Sequence, residues 1–328
     1  MKNVKFLKSV FFAFLAITTF SCSDDDDAGA PQSNTIAAIA SRTPDLSILV
    51  QALDRAGLVA AVDGTTQLTV FAPTNEAFEN FLEANGFDDL EDVPVPLLTQ
   101  VLLNHVVTGA VQSTQLPDAG YIQTLATLNG EANGNNLSMY VNKSTGVRLN
   151  GVSSVVTGSA NIIASNGVVH VVDAVIGLPT VVTFAVADPN FDTLQAALTT
   201  LTPATDFAAI LGRTQGGNAD GINPPFTVFA PINTAFADLD AELAPGGIAS
   251  LTEGQITTTL LYHVVGGANV RSNQIPAGPI TSLETGTFSI TGTTITDERA
   301  RTSGIIAVDV QASNGVIHAI NKVILPNF

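Results

Sequence analysis

Apolar residues early in the chain recur with helical spacing. Leu46, Leu49, Val50 and Leu53 stand at i, i+3, i+4 and i+7, and Gly57 supplies a stop. Residues 68–72, Leu-Thr-Val-Phe-Ala, are β-rich and run into Pro73, which reads as a strand entering a turn. Thr74 or Asn75 can cap the next helix, whose Phe78, Phe81 and Leu82 share one side and which ends near Gly86. Residues 97–103 continue as an apolar helix, and His105-Val106-Val107 reads as the start of a strand. Residues 161–164 and 168–176 are β-branched runs on either side of Asn166-Gly167, a dipeptide that suits a tight type I′ hairpin turn. Helices first and strands later predict an α+β fold.

The same pattern is written twice. Thr69-Val70-Phe71-Ala72-Pro73-Thr74-Asn75-Glu76-Ala77-Phe78 returns as Thr227-Val228-Phe229-Ala230-Pro231-Ile232-Asn233-Thr234-Ala235-Phe236, identical at eight of ten positions. Leu103-Asn104-His105-Val106-Val107 returns as Leu261-Tyr262-His263-Val264-Val265. Ser165-Asn166-Gly167-Val168-Val169-His170 returns as Ser313-Asn314-Gly315-Val316-Ile317-His318. Three ordered blocks make a tandem duplication, with domains expected at 34–179 and 180–328. The short junction at Leu178-Pro179-Thr180 predicts that the two lie against each other and share a functional face. The second copy carries an insertion whose Gly-rich stretch, 212–221, lacks the Gly-Lys-Ser/Thr ending of a phosphate loop and reads as a flexible surface loop.

Ahead of the repeats stands an address. Lys2, Lys5 and Lys8 precede an apolar run over 10–20, too short to span a bilayer but right for a secretory signal peptide. Thr19-Phe20-Ser21-Cys22 resembles the lipobox of bacterial lipoproteins, with Thr19 where Leu is usual. On that reading 1–21 is a lipoprotein signal peptide and Cys22 the lipidated mature N-terminus, anchoring the protein to a membrane. The alternative is an ordinary secretory signal followed by an incidental cysteine. Residues 22–33, with Asp24 to Asp27, resemble the acidic export tag of surface lipoproteins of Bacteroidetes, and are equally a solvated tether. The expected location is the cell envelope, as a surface-exposed outer-membrane lipoprotein.

Composition narrows the chemistry. Twelve Lys+Arg against 29 Asp+Glu give a net charge of −17 over 328 residues, so nucleic acid is not an expected partner. Removing 1–21 takes away three lysines and no acid, which brings the net to −20. The charge is spread over both halves and reads as general solubility. A single cysteine excludes an intrachain disulfide and a Cys-rich zinc site. No Gly-x-Ser-x-Gly elbow and no EF-hand loop occurs, so neither a catalytic residue nor a cofactor is expected.

The three repeated motifs resemble the two end motifs and the central Tyr-His motif of the fasciclin (FAS1) domain family, over nearly all of 34–326. The resemblance implies two tandem FAS1-like domains, each a twisted antiparallel β-wedge packed with several helices. It also implies a non-catalytic, extracellular or cell-surface adhesion module. Tyr262 and His263 match the Tyr-His motif, which the family associates with partner binding; Asn104 and His105 hold those places in the first copy, where the tyrosine is absent. The alternative is that the motif serves the core in both copies. His170, His318, Pro73 and Pro231 fall in the end motifs as structural residues. The two histidines of one copy are far apart in sequence and sit in apolar runs, so buried imidazoles bonded to backbone are expected in place of a metal site.

The function expected from these readings is adhesion by a monomer with packed domains, to an extracellular protein or polysaccharide. The rival is a glycan- or small-ligand-binding, or hydrolytic, accessory of envelope polysaccharide use, with a pocket lined by Tyr121, Tyr140 or Tyr262.

Overall fold

The computed structural model describes residues 34–130 and 135–327. The signal peptide, Cys22 and the tether lie outside the described residues. The first copy opens with α1 (Ile36–Arg42), α2 (Ser47–Arg55), α3 (Val59–Asp63), β1 (Leu68–Pro73), α4 (Asn75–Asn85) and α5 (Val95–Asn104). It continues as β2 (Val106–Thr108), β3 (Ala119–Thr127), β4 (Asn136–Asn142), β5 (Arg148–Leu149), β6 (Ser153–Ser154), β7 (Ile162–Ala164) and β8 (Gly167–Val172). The second copy repeats the order with α6 (Val181–Ala187), α7 (Asp192–Thr199), α8 (Phe207–Leu211), β9 (Phe226–Pro231), α9 (Asn233–Glu242) and α10 (Glu253–Tyr262). Its strands follow as β10 (Val264–Gly266), β11 (Pro279–Thr281), β12 (Thr287–Thr291), β13 (Thr294–Thr296), β14 (Thr302–Ala312) and β15 (Gly315–Ile320).

Local chemistry explains where these elements start and stop. Thr35 and Thr74 cap α1 and α4 by accepting from Ala38 N and Ala77 N, and Gly86 ends α4 in the left-handed region at φ 72°. Pro73 and Pro231 close the two strands β1 and β9, where a missing N–H costs least. His105 is the helical C-cap of α5 (φ −88°, ψ 0°), so the strand begins one residue later than the sequence pattern predicts.

Each copy is built on a parallel pair: β1 with β8, and β9 with β15. Every other strand pairing of the sheets is antiparallel. All six positions of each parallel strand are buried. In the first copy one face meets the helical core of Leu49, Phe78, Leu98 and Leu102, and the other meets Met139, Val141 and Leu149 of a separate sheet ordered β3-β4-β5-β6. Covered on both faces, such strands read as continuous apolar runs. In the second copy one seven-stranded sheet, β10-β9-β15-β14-β13-β12-β11, does both jobs. The long β14 carries register shifts between Ile305, Ala307 and Val310 that let one strand serve both parts.

The copies pack on each other. Tyr140 of β4 belongs to the apolar core of the second copy, beside Phe184, Phe191 and Val310. Tyr121 stacks at a tilt on Tyr140 (5.0 Å) and edge-on to Phe184 (5.4 Å), and donates its hydroxyl to Asp188 Oδ2 at 2.9 Å. Ser138 Oγ accepts from Gln311 N at 3.0 Å across the same seam.

The Asn-Gly turn differs from the type I′ expectation. Ala164 pairs with Gly167, so the turn residues are Ser165 and Asn166, and neither has positive φ; a type I′ turn needs both positive. Gly167 is already in the strand, at φ 149°. The Gly-rich segment 212–221 is a loop, laced by an Arg213–Asp220 ion pair at 2.8 Å and by Asn218 Nδ2 donating to Gln215 O and Ile222 O.

Candidate functional site

The four histidines fall into two matched pairs with fixed duties. His105 Nδ1 donates to Val101 O at 2.7 Å and its Nε2 accepts from Ile176 N at 2.8 Å. His263 repeats this with Thr259 O at 2.7 Å and Ile324 N at 3.1 Å. Each ring therefore ties the end of its helix to the last segment of its copy. Protonation would place a second N–H against a backbone N–H inside the core. Burial accordingly lowers both imidazoles from 6.5 to about 4, against a smaller opposing pull from the backbone carbonyl.

His170 and His318 use the other tautomer. His170 Nε2 donates to Val111 O at 3.0 Å and Nδ1 accepts from Asn161 N at 3.2 Å. His318 Nε2 donates to Val270 O at 2.9 Å. Both rings stack on a core phenylalanine, Phe71 or Phe229, at 5.4 Å. Burial lowers both below the usual imidazole range.

The residues matched to the Tyr-His motif are inside the protein. Asn104, His105, Tyr262 and His263 are 0, 1, 0 and 3% exposed, so they offer a partner no surface. Asn104 donates to Ile176 O and Gly177 O and accepts from Thr124 Oγ1. Tyr262 reaches the opposite way: its hydroxyl donates to Thr287 O at 2.7 Å and accepts from Glu298 N, and its ring meets Phe288. The motif works as a core brace in each copy, with a different side chain and a different target.

A second brace went unread in the sequence. Asn166 Oδ1 accepts from Ile36 N, and its Nδ2 donates to Val62 O and Gly64 O, all at 2.8–2.9 Å. Asn314 does the same with Val181 N, Leu211 O and Arg213 O at 2.7–2.9 Å. The glycine after each is required by a neighbour. A Cβ on Gly167 would lie 1.8 Å from Leu68 O, and one on Gly315 2.2 Å from Phe226 O. The repeated Asn-Gly is thus a clamp and a clearance.

Among the described residues no group of three or more His, Cys, Asp or Glu could hold a metal ion. The three tyrosines do not line a pocket between the copies: Tyr140 and Tyr262 are core residues and Tyr121 is half-buried against Asp188. What the packing of the copies does create is a groove of about 600 Å³. One wall is Phe81 and Asn85 of α4 with Gln100 of α5; the other is Thr183 with Thr214 and Gln215 from the second copy's insertion. Among the described residues no charged side chain lines it. A second cavity of about 520 Å³ continues from it through Asn150, Val152 and Thr183, with Arg148 its one charged lining residue.

Comparison with known proteins finds the same tandem organisation. The fasciclin domain family model matches residues 44–179 and again 189–326. Protein sll1483 of Synechocystis sp. is 37% identical over 149 residues, 45% of this chain and 73% of that protein. Human periostin is 29% identical over 286 residues; the match covers 84% of this chain and 30% of periostin's length. Among solved structures, a FAS1 domain pair from the insect cell adhesion molecule fasciclin I has a TM-score of 0.49 and 18% identity, over 86% of this chain and 97% of that one. This chain belongs to the fasciclin domain family and carries the domain in two tandem α+β copies.

Proposed function

We propose that this chain is a non-catalytic adhesion or interaction protein of a bacterial cell envelope, held by lipid on Cys22 and displayed on the tether 22–33. Fasciclin domains are typically adhesion or interaction domains of non-enzymatic proteins, and nothing in the motif geometry points to catalysis. The observation that carries the reading is the fate of the repeated polar residues. Histidines, asparagines and Tyr262 are engaged in internal bonds, while the copies between them create an open, uncharged groove. Among the described residues no helix is long and apolar enough to cross a membrane. The partner in this reading is a matrix, cell-surface or polysaccharide component.

Two measurements test it. A Cys22→Ala variant should leave the membrane fraction for the soluble or secreted one; unchanged retention removes the anchor from the proposal. Beads coated with the purified protein should adhere to cells or to extracted matrix above a coating of denatured protein. Equal adhesion of the two coatings overturns the adhesion reading.

A further inference from the structure

The groove between the copies has a lining that narrows its ligand. Among the described residues no acid lines either cavity, and of their lining residues only Arg148, at the far end, is charged. An ionised ligand would lose hydration there without a compensating charge. The polar groups are amides and hydroxyls: Asn85, Gln100, Thr183, Thr214 and Gln215. Each kind both donates and accepts, which matches a ligand rich in hydroxyls; a carboxylate only accepts and an ammonium only donates. Phe81 sets a partly buried aromatic ring among them. The walls are mainly helix and loop, and Thr127, at the end of β3, is the one strand residue of the larger cavity, so an extended peptide would find little strand there to pair with.

The shape adds a second constraint. The two cavities share Asn150, Val152 and Thr183 and so adjoin along the seam. Such an arrangement suits a linear chain of similar units. At the shared point lies Asn150, 2% exposed, whose Oδ1 accepts from Tyr140 N at 2.7 Å. Its Nδ2 has no hydrogen-bond partner in the structure, so the wall holds an unengaged buried donor just beneath its surface. A buried donor left in this way is costly, and an acceptor entering the seam would recover that cost.

We propose that the groove between the two copies is a binding site for a neutral linear oligosaccharide, with the insertion of the second copy forming one wall. This rests on the adhesion reading and names the class of its partner. The purified protein is titrated by calorimetry with cellohexaose, laminarihexaose, xylohexaose and mannohexaose, and with hexagalacturonate and an extended neutral hexapeptide as contrasts. At least one neutral hexasaccharide should bind with a Kd on the order of millimolar or tighter. Two surface variants test the place: Thr214→Ala with Gln215→Ala removes polar groups from one wall, and Val152→Glu sets a charge at the shared point. Each should weaken binding about tenfold or more while the thermal midpoint holds. Absence of binding to all four neutral sugars, tighter binding of hexagalacturonate or the peptide, or binding untouched by both variants overturns the assignment. Bead adhesion is measured on the same variants. Adhesion that survives them leaves the adhesion reading standing and removes the groove from it; adhesion absent already in the parent protein removes both.

Discussion

Strands β4 and β12 hold the same place in the two copies and have opposite surroundings. In each, alternate residues face the inner core: Met139 and Val141 in β4, Phe288 and Ile290 in β12. The residues between them differ. In β4 they are Ser138 and Tyr140, buried at 3 and 2% under the second copy. In β12 they are Thr287, Ser289 and Thr291, all exposed. By register Tyr140 corresponds to Ser289, and Tyr121, paired with Tyr140, corresponds to Pro279, paired with Ser289. An aromatic pair on one sheet face packs on the neighbouring copy; the equivalent face of the second copy carries hydroxyls and a proline and is exposed. The two copies are therefore one fold whose equivalent faces differ, one covered and one open.

The comparison can be broken where the copies agree and where they differ. The largest effect is expected from the shared clearance. Gly167→Ala and Gly315→Ala each drive a Cβ into the carbonyl of the adjacent parallel strand, and each should cost about 4 kcal/mol or more. Thermal unfolding by circular dichroism checks it; a mild loss in either copy alone would show that the copies do not depend on the pair equally.

The next effect is asymmetric. Tyr140→Ser copies the open face of the second copy onto the first and removes a core ring of the second copy, at about 3–5 kcal/mol. Calorimetry should then show two separated transitions in place of one. A single undivided transition at the parent midpoint would mean that the aromatic seam does not couple the copies.

The smallest effect is conditional on acid. His105 and His263 stay neutral in the fold down to about 4, whereas in the unfolded chain they take a proton near 6.5. Between those values the unfolded state binds more protons, so stability is full above pH 6.5 and falls as pH drops toward 4. The loss is on the order of 3 kcal/mol for each imidazole at the lower limit. Urea unfolding from pH 7 to 4.5 reads it, and His105→Gln and His263→Gln should each flatten the slope. An unchanged slope in both variants would assign the acid sensitivity to other groups.

The elements whose causes are local were legible in the sequence. The strand at 68–72, the Thr74 cap and the Gly86 stop each depend on residues within a few positions, and each lies where the pattern puts it. The Asn-Gly dipeptide misled because its causes are distant. Asn166 is needed by Ile36 and Val62, and Gly167 by Leu68, about a hundred residues earlier in the chain. Tyr121 and Tyr140 could be suspected as pocket residues from their scarcity, but their true setting needs the second copy present. The groove had no motif at all. Its walls come from α4, α5 and an insertion of the other copy, and its distinguishing property is an absence of charge that only assembly in space reveals.

The parallel pairing at the centre of each copy bears on synthesis. Leu68 pairs with Gly167, 99 residues later, and Phe226 with Gly315, 89 residues later. No copy can close its sheet until its final strand has left the ribosome, because the strand that completes the core is the last one made. Such long-range closure slows folding. A nascent chain of this design stays open for most of its own translation, a useful state for any polypeptide that must be threaded through a narrow channel before it takes shape.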